Sequence, residues 1–231
     1  MNLQLSDIED NSFDMPLQSS GSPGLPHVEH EALSSGRAFW MSKRLFDIVL
    51  SLALLPLLAA ILILVFAVNP LLNKGPLLFR QKRMGRWGRP IIVVKIRTMT
   101  PINAAPRAPD SPLEKGRITP FAKFLRKRRI DELPQIWGVL RGELSLIGPR
   151  PDMWEHALYY RETVPGYQKR TALRPGISGY AQIKMGYAEG LAATKSKAIL
   201  DLLYLRNASW RLDAFILVKT LKIVVTGFGA K

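Results

Sequence analysis

One run dominates the hydrophobic pattern of the chain. From Ile48 to Val68, "IVLSLALLPLLAAILILVFAV", 21 residues carry no charge. A helix of that length is about 31 Å long, the thickness of a bilayer's hydrocarbon core. Its topology is open between a helix that spans and one that dips in and returns. Pro56 lies inside the run, where it removes a backbone hydrogen bond and bends a helix. Basic residues flank both ends, Lys43 and Arg44 before, then Lys74, Arg80, Lys82, Arg83, Arg86 and Arg89 after. A spanning helix would put one basic flank outside, against the positive-inside tendency. A second run of this length is absent from the sequence, which argues against a polytopic transporter.

The remaining pattern is shorter in period. Apolar stretches at Leu77–Arg80 and Ile91–Ile96, separated by Gly85 and Gly88-Arg89-Pro90, predict two strands. Residues 100–116 form a Pro-rich loop. Thr119 as N-cap and Pro120 at the first position then start a helix, "FAKFLRKRR". Phe121, Ala122, Phe124 and Leu125 share one side of it and basic residues fill much of the rest. Such a helix rests on anionic headgroups or packs on a core with a solvated face. Asp131 is expected to cap a second helix, "ELPQIWGVLRG", with Pro134 in its first turn. "LSLIGPRPD" predicts a short strand and a proline-clamped loop presenting Arg150. "LRPGISGYAQI" predicts a rigid turn, Arg174-Pro175-Gly176, leading into another strand. Two C-terminal helices follow, roughly 190–206 and 209–225. Ser209 caps the second, whose apolar stripe is Trp210, Phe215, Ile216, Leu221 and Val224.

Charge changes the picture. The 231 residues carry a net +15, yet residues 1–42 hold six acids against one base, Arg37. That Ser-, Pro- and Gly-rich segment is expected to be a disordered acidic leader, either an inert linker or a docking element. The basic body calls for an anionic partner, nucleic acid or an acidic membrane surface. The absence of cysteine excludes disulfides and thiolate chemistry, and three histidines leave little for a zinc site. A metal here is expected to be magnesium on carboxylates and phosphates.

"RRIDELPQIW", residues 128–137, places Asp131 and Glu132 directly after the strongest basic run. The pair is either a salt-bridged helix start or a catalytic pair whose anionic substrate the arginines hold. As a cap, Asp131 would bond to free amides and stay ionised at a lowered pKa. Arginines held by adjacent prolines, as at Arg150 and Arg174, are pre-oriented for bidentate phosphate binding.

Taken together, "KRLFDIVLSLALLPLL", "GPLLFRQKRMGRWGRP", "VVKIRTM", "FAKFLRKRRIDELPQIWGVLRGELSLIGPRP", "LRPGISGYAQI" and "DLLYLRNASWRLDAFIL" resemble the bacterial sugar transferases. More narrowly, the chain is similar to the short form of the monotopic phosphoglycosyl transferases. The resemblance covers about Lys43 to Thr226. It implies transfer of a sugar phosphate from a nucleotide diphosphosugar to a polyprenyl phosphate, with release of a nucleoside monophosphate, at the start of exopolysaccharide or other surface-glycan assembly. It implies Asp131 as the nucleophile of a covalent phosphosugar intermediate, and Glu132 as its helper in proton handling or orientation. Mg²⁺ would bind against Asp131. Lys95, Arg126 and Arg150 match the family's basic site positions, and Arg174 joins them as a phosphate ligand. Asp213 and Asp201 match its C-terminal acids. Gln182 belongs to the "GxxQ" turn. After that turn, "KMGYAEG" replaces the usual Asn-Gly-Arg segment, so Tyr187 or Lys184 takes over part of its role. The resemblance also implies a re-entrant anchor broken at Pro56, although Leu55 stands where many members have Ser.

The expected fold is therefore α+β and helix-rich, with a re-entrant membrane anchor, interfacial amphipathic helices and a small β element. Its expected divisions are a leader over 1–42, an anchor over 43–73, a catalytic unit over 74–226 and a tail over 227–231. Expected partners are the donor, the polyprenyl acceptor and anionic lipids, with room for an oligomer. The expected location is the cytoplasmic face of a bacterial inner membrane. An inactive scaffold of a glycan-assembly complex is one alternative. A basic nucleic-acid-binding protein is another, but the apolar run and the lack of a recognisable helix-turn-helix or aromatic RNA motif count against it.

Overall fold

A computed structural model of the chain describes residues 35–73, 75–100, 115–186 and 190–227. The expected acidic leader and Pro-rich loop fall largely outside these residues, as does Tyr187. Helix α1 runs from Arg37 to Leu72 over 36 residues, so it begins well before the apolar run. It stays helical through Pro56 and Pro70, and the expected break at Pro56 is not an end of the element.

The exposed side of α1 is apolar, with Val49, Leu52, Leu57, Ile63, Leu64, Phe66 and Leu71 facing out. Its buried side is a stripe of Lys43, Asp47, Ser51, Leu58, Val65 and Asn69, a helical repeat that is polar at both ends. Those polar ends tie down the helix. Lys43 Nζ lies 2.7 Å from Asp213 Oδ2, and Asp47 accepts from Ser145 Oγ at 2.7 Å and from the Leu146 amide at 3.2 Å. At the other end, Asn69 donates to the Gly75 carbonyl at 2.9 Å, and Asn73 to that of Arg97 at 2.9 Å.

Strands β1 (Leu78–Met84) and β2 (Pro90–Ile96) pair antiparallel, with Phe79 opposite Lys95. Strand β1 extends past the expected Arg80 because the hairpin turns only at Gly85–Arg89, around a 3₁₀ turn over Arg86–Gly88. Helix α2 (Pro120–Lys127) starts as expected, with Thr119 Oγ1 accepting from the Ala122 amide at 3.1 Å. Its Ala122 and Leu125 are buried while Phe124 is exposed, so its apolar residues serve two surroundings. Leu125 joins Val65 of α1 and Ile96 of β2 in one core cluster.

The predicted second helix is divided. A 3₁₀ segment covers Ile130–Gln135, and α3 is only Ile136–Leu140. Strands β3 (Ser145–Ile147) and β4 (Gly176–Ser178) pair in parallel. Their approach is so close that a Cβ on Gly176 would sit 2.1 Å from the Gly148 nitrogen. The strand expected after the Arg174 turn therefore ends at Ser178, and "YAQI" belongs to α5 (Tyr180–Met185) instead. Between the two strands lies α4 (Trp154–Thr163), which the sequence pattern did not separate. Helices α6 (Gly190–Asn207) and α7 (Trp210–Thr226) match the expected pair, and Ser209 Oγ accepts from the Leu212 amide. The stripe on α7 splits: Ile216 is buried, whereas Trp210, Phe215 and Leu221 are exposed.

Candidate active site

The acid pair sits where α2 stops. Arg128 ends the helix and Arg129 turns left-handed at φ 52°. That conformation is uncommon for a residue with a side chain and often marks functional sites. The turn aims the next two carboxyls inward, and Asp131 and Glu132 are both buried. The predicted capping role fails: Arg129 is the cap position of the 3₁₀ segment and Gln135 that of α3, so Asp131 caps neither.

Glu132 is held from three elements. Lys95 of β2 reaches its Oε1 at 3.0 Å, and Arg129 reaches Oε2 at 3.4 Å. Arg150, from the loop after β3, bonds both oxygens through its two terminal nitrogens. Burial alone would raise the Glu132 pKa. Arg150 and Lys95 outweigh burial and hold it well below the usual range. Glu132 is therefore a fixed anion that orients three cations, which favours orientation over proton transfer as its job.

Asp131 differs. Among the described residues its carboxylate makes no hydrogen bond or ion pair. Burial, reinforced by the neighbouring Glu132 charge, raises its pKa to about 6 against the pull of Lys95, Arg126 and Arg150. This reverses the lowered pKa expected of a cap, yet the carboxylate is still mostly ionised at neutral pH. Burial likewise brings Lys95 down to about 8, although Glu132 pulls it the other way. An ionised carboxylate with free lone pairs, beside cations already in place, suits attack on an anionic centre.

The other expected residues divide. Arg126 is half-buried and acts on Asp131 through its charge, without a bond to either acid. Gln182 lies at the edge of the site, because its amide and Arg150 Nη1 both donate to the Ile177 carbonyl at 3.3 Å. Arg174 is not brought to the pair; its Nε donates to the Gly142 carbonyl at 2.9 Å. Asp213 is not either. It takes Lys43 and the Tyr204 hydroxyl, each at 2.7 Å, and so joins α1, α6 and α7. Asp201 pairs with Arg170 at 2.6 Å. Lys184 is exposed and lies 5.7 Å from the Tyr180 ring centre.

Sequence reasoning missed the support behind Arg150. Arg170 donates to the Arg150 carbonyl at 2.7 Å while it pairs with Asp152 and Asp201. Lys197 pairs with Asp152, and the Tyr167 hydroxyl donates to Asp152 at 2.6 Å. The five groups come from distant parts of the chain, and only Asp152, two residues past Arg150, gave a local hint. Arg129 was also missed as a ligand of Glu132, since it read as part of a basic helix face.

A family model described as bacterial sugar transferase matches residues 38–227. The UDP-N-acetylgalactosamine-undecaprenyl-phosphate N-acetylgalactosaminephosphotransferase of Aeromonas hydrophila is 38% identical over 192 residues, 82% of this chain and 45% of its own length. The UDP-glucose:undecaprenyl-phosphate glucose-1-phosphate transferase of Klebsiella pneumoniae is 39% identical over 77% of this chain and 39% of its own. The chain thus spans less than half the length of these two relatives. An exopolysaccharide production protein of Rhizobium leguminosarum bv. phaseoli is 36% identical and is covered over 92% of its length. With the match running from the start of α1 to the end of α7, around a buried acid pair and its arginine loop, the chain belongs to the bacterial sugar transferase family.

Proposed function

We propose that the chain transfers a sugar phosphate from a UDP-sugar to undecaprenyl phosphate and releases UMP. The observation that carries this reading is the buried Asp131 carboxylate, unpaired among the described residues, beside a Glu132 that holds Lys95, Arg129 and Arg150 in place. The names of the Aeromonas and Klebsiella relatives support the donor and acceptor classes. The Rhizobium relative's name supports a place in exopolysaccharide formation.

In the first step a carboxylate oxygen of Asp131 attacks the phosphorus next to the sugar. The bond from that phosphorus to the bridging oxygen breaks, and this oxygen leaves with UMP. Asp131 then carries the sugar phosphate as an acyl phosphate. An oxygen of the undecaprenyl phosphate attacks the same phosphorus, breaks the acyl phosphate bond and frees the carboxylate. With a phosphate dianion as attacker neither step needs a proton from Glu132, consistent with its fixed charge. Arg150 and Lys95 face the developing negative charge, and the diphosphate competes with Glu132 for their N–H groups.

The residues fit a magnesium ion. Among the described residues no group of three or more His, Cys, Asp or Glu side chains forms a metal cage. The free Asp131 carboxylate is the available protein ligand, which matches an ion held chiefly by substrate phosphates. Bound there, it would neutralise diphosphate charge.

The anchor supports a re-entrant topology. Lys43 and Asp47 at one end of α1, and Asn69 and Asn73 beyond the other side of the apolar run, bind the same folded body. A helix that crossed a bilayer would carry its two ends to opposite faces, about 30 Å apart. On this reading both ends stay at the cytoplasmic face of the inner membrane, with the acid pair near headgroup depth. The test is transfer of label from UDP-[³²P]sugar into an organic-soluble undecaprenyl product. Transfer by the wild type and not by Asp131→Asn is expected, and full transfer by the variant would refute the assignment.

A further inference from the structure

Apart from the acid pair, Arg44 and Arg174 meet at the end of α3, and Arg86 from a third segment bonds two residues before Arg174 and feels its charge. Arg44 of α1 donates to the Val139 carbonyl at 2.7 Å and to the Leu140 carbonyl at 3.1 Å. Its Nη2 comes within 3.5 Å of where a Cβ on Gly142 would stand, and Arg174 donates to the Gly142 carbonyl. Arg86, from the β1–β2 turn, donates through Nε to the Ala172 carbonyl at 2.9 Å. All three are half-buried. Burial lowers the pKa of Arg44 and of Arg86, and the charge of Arg174 lowers both further, so Arg174 repels each of the other two.

None of the three bonds to a carboxylate among the described residues. The nearby acid, Asp47, is engaged by Ser145 and Leu146. The terminal nitrogens of Arg86 and Arg174 have no acceptor among the described residues. Asp47 attracts Arg44 through space, but half-buried guanidinium groups with no carboxylate bonded to them are unfavourable, and an anion with several oxygens suits their planar forks. The surroundings say where such an anion would come from. Arg44 lies four residues before the apolar run, which places it at headgroup depth on the re-entrant reading. The Arg86 guanidinium stacks 4.8 Å from the ring centre of Trp87, which is left-handed at φ 59° and packs on the same core as Phe39 and Trp40. Indole rings of this kind favour the membrane–water interface.

We propose that Arg44, Arg86 and Arg174 form a second anion site, separate from Asp131 and Glu132, that binds the phosphate of a membrane lipid. This accounts for Arg174, which the structure removes from the reaction centre while keeping it among cations. The depth assignment rests on the re-entrant reading, but lipid retention is measured without turnover, so failure of one is distinguishable from failure of the other.

The experiment is native mass spectrometry of the full chain released from detergent, loaded in turn with phosphatidylglycerol, undecaprenyl phosphate and inorganic phosphate. The wild type is expected to retain one more lipid phosphate than Arg86→Gln/Arg174→Gln, with at least tenfold weaker binding in the variant. Retention of phosphatidylglycerol identifies a bulk lipid as the ligand, and retention of undecaprenyl phosphate alone identifies the acceptor; either supports the site. Equal lipid retention by wild type and variant overturns it. Retention of inorganic phosphate without either lipid overturns the lipid assignment. If the double variant does not fold, Arg86→Gln alone, which loses one bond to a carbonyl, is read in the same way.

Discussion

Replacing Asp131 by Asn should make the protein more stable while it abolishes turnover. The folded protein holds this carboxyl at a pKa of about 6, against an ordinary value of 3.8, because the site is buried and Glu132 lies beside it. Each tenfold change in proton affinity corresponds to about 1.4 kcal/mol. The ionised carboxylate therefore costs the fold about 3 kcal/mol at pH 7.5, an upper figure because the two acids titrate together. Asn keeps the shape and removes the charge. The sign follows from proton counts: between the two pKa values the folded state binds more protons than the unfolded one. Stability consequently falls as pH rises from about 4 to 6, and the penalty is constant above that. The advantage of Asp131→Asn should be full at pH 7.5, near half at pH 5 and gone below about pH 4. Thermal unfolding in one detergent at pH 7.5 and 5 measures it, with an expected rise of several degrees at the higher pH. A variant no more stable than wild type at pH 7.5, or one whose gain does not shrink at pH 5, would show that the Asp131 charge does not strain the fold.

Further outcomes are specific. The kcat/KM profile should be bell-shaped, rising as Asp131 ionises near pH 6 and falling as Lys95 loses its proton near pH 8. Arg150→Ala should cost about 3–5 kcal/mol of stability, since it leaves Glu132 buried with its chief partner gone, and chemical denaturation will show it. Gly176→Ala should prevent folding, because its Cβ would meet the Gly148 nitrogen, whereas Gly116→Ala, with nothing within 4 Å, should be silent in soluble yield and melting. Chelation of divalent ions by EDTA should stop transfer, and Mg²⁺ should restore it.

The elements that could be read from sequence are those whose signals are local. Thr119-Pro120 and Ser209 announced helix starts, and the Ile48–Val68 run announced a long apolar helix. "YAQI" was misread because its apolar residues fit either period, and the parallel β3–β4 pairing ends at Ser178. The cap assignment of Asp131 failed for a related reason. Asp before a Pro-containing segment is a good local signal, but Arg129 takes a left-handed turn that swings both acids inward. Asp213 and Asp201 looked like site acids because only the fold shows their partners, Lys43 and Arg170, which lie 170 and 31 residues away. Lys95, Glu132 and Arg150 were found together because each sat in a motif of its own, while the Arg170 network behind them had none.

The most direct test of the central claim is peptide mass spectrometry after mixing the protein with a UDP-sugar and Mg²⁺ in the absence of acceptor. One sugar phosphate on Asp131 is expected, formed with release of UMP and discharged when undecaprenyl phosphate is added. An adduct on another residue, or the same adduct on an Asp131→Asn chain, would contradict it.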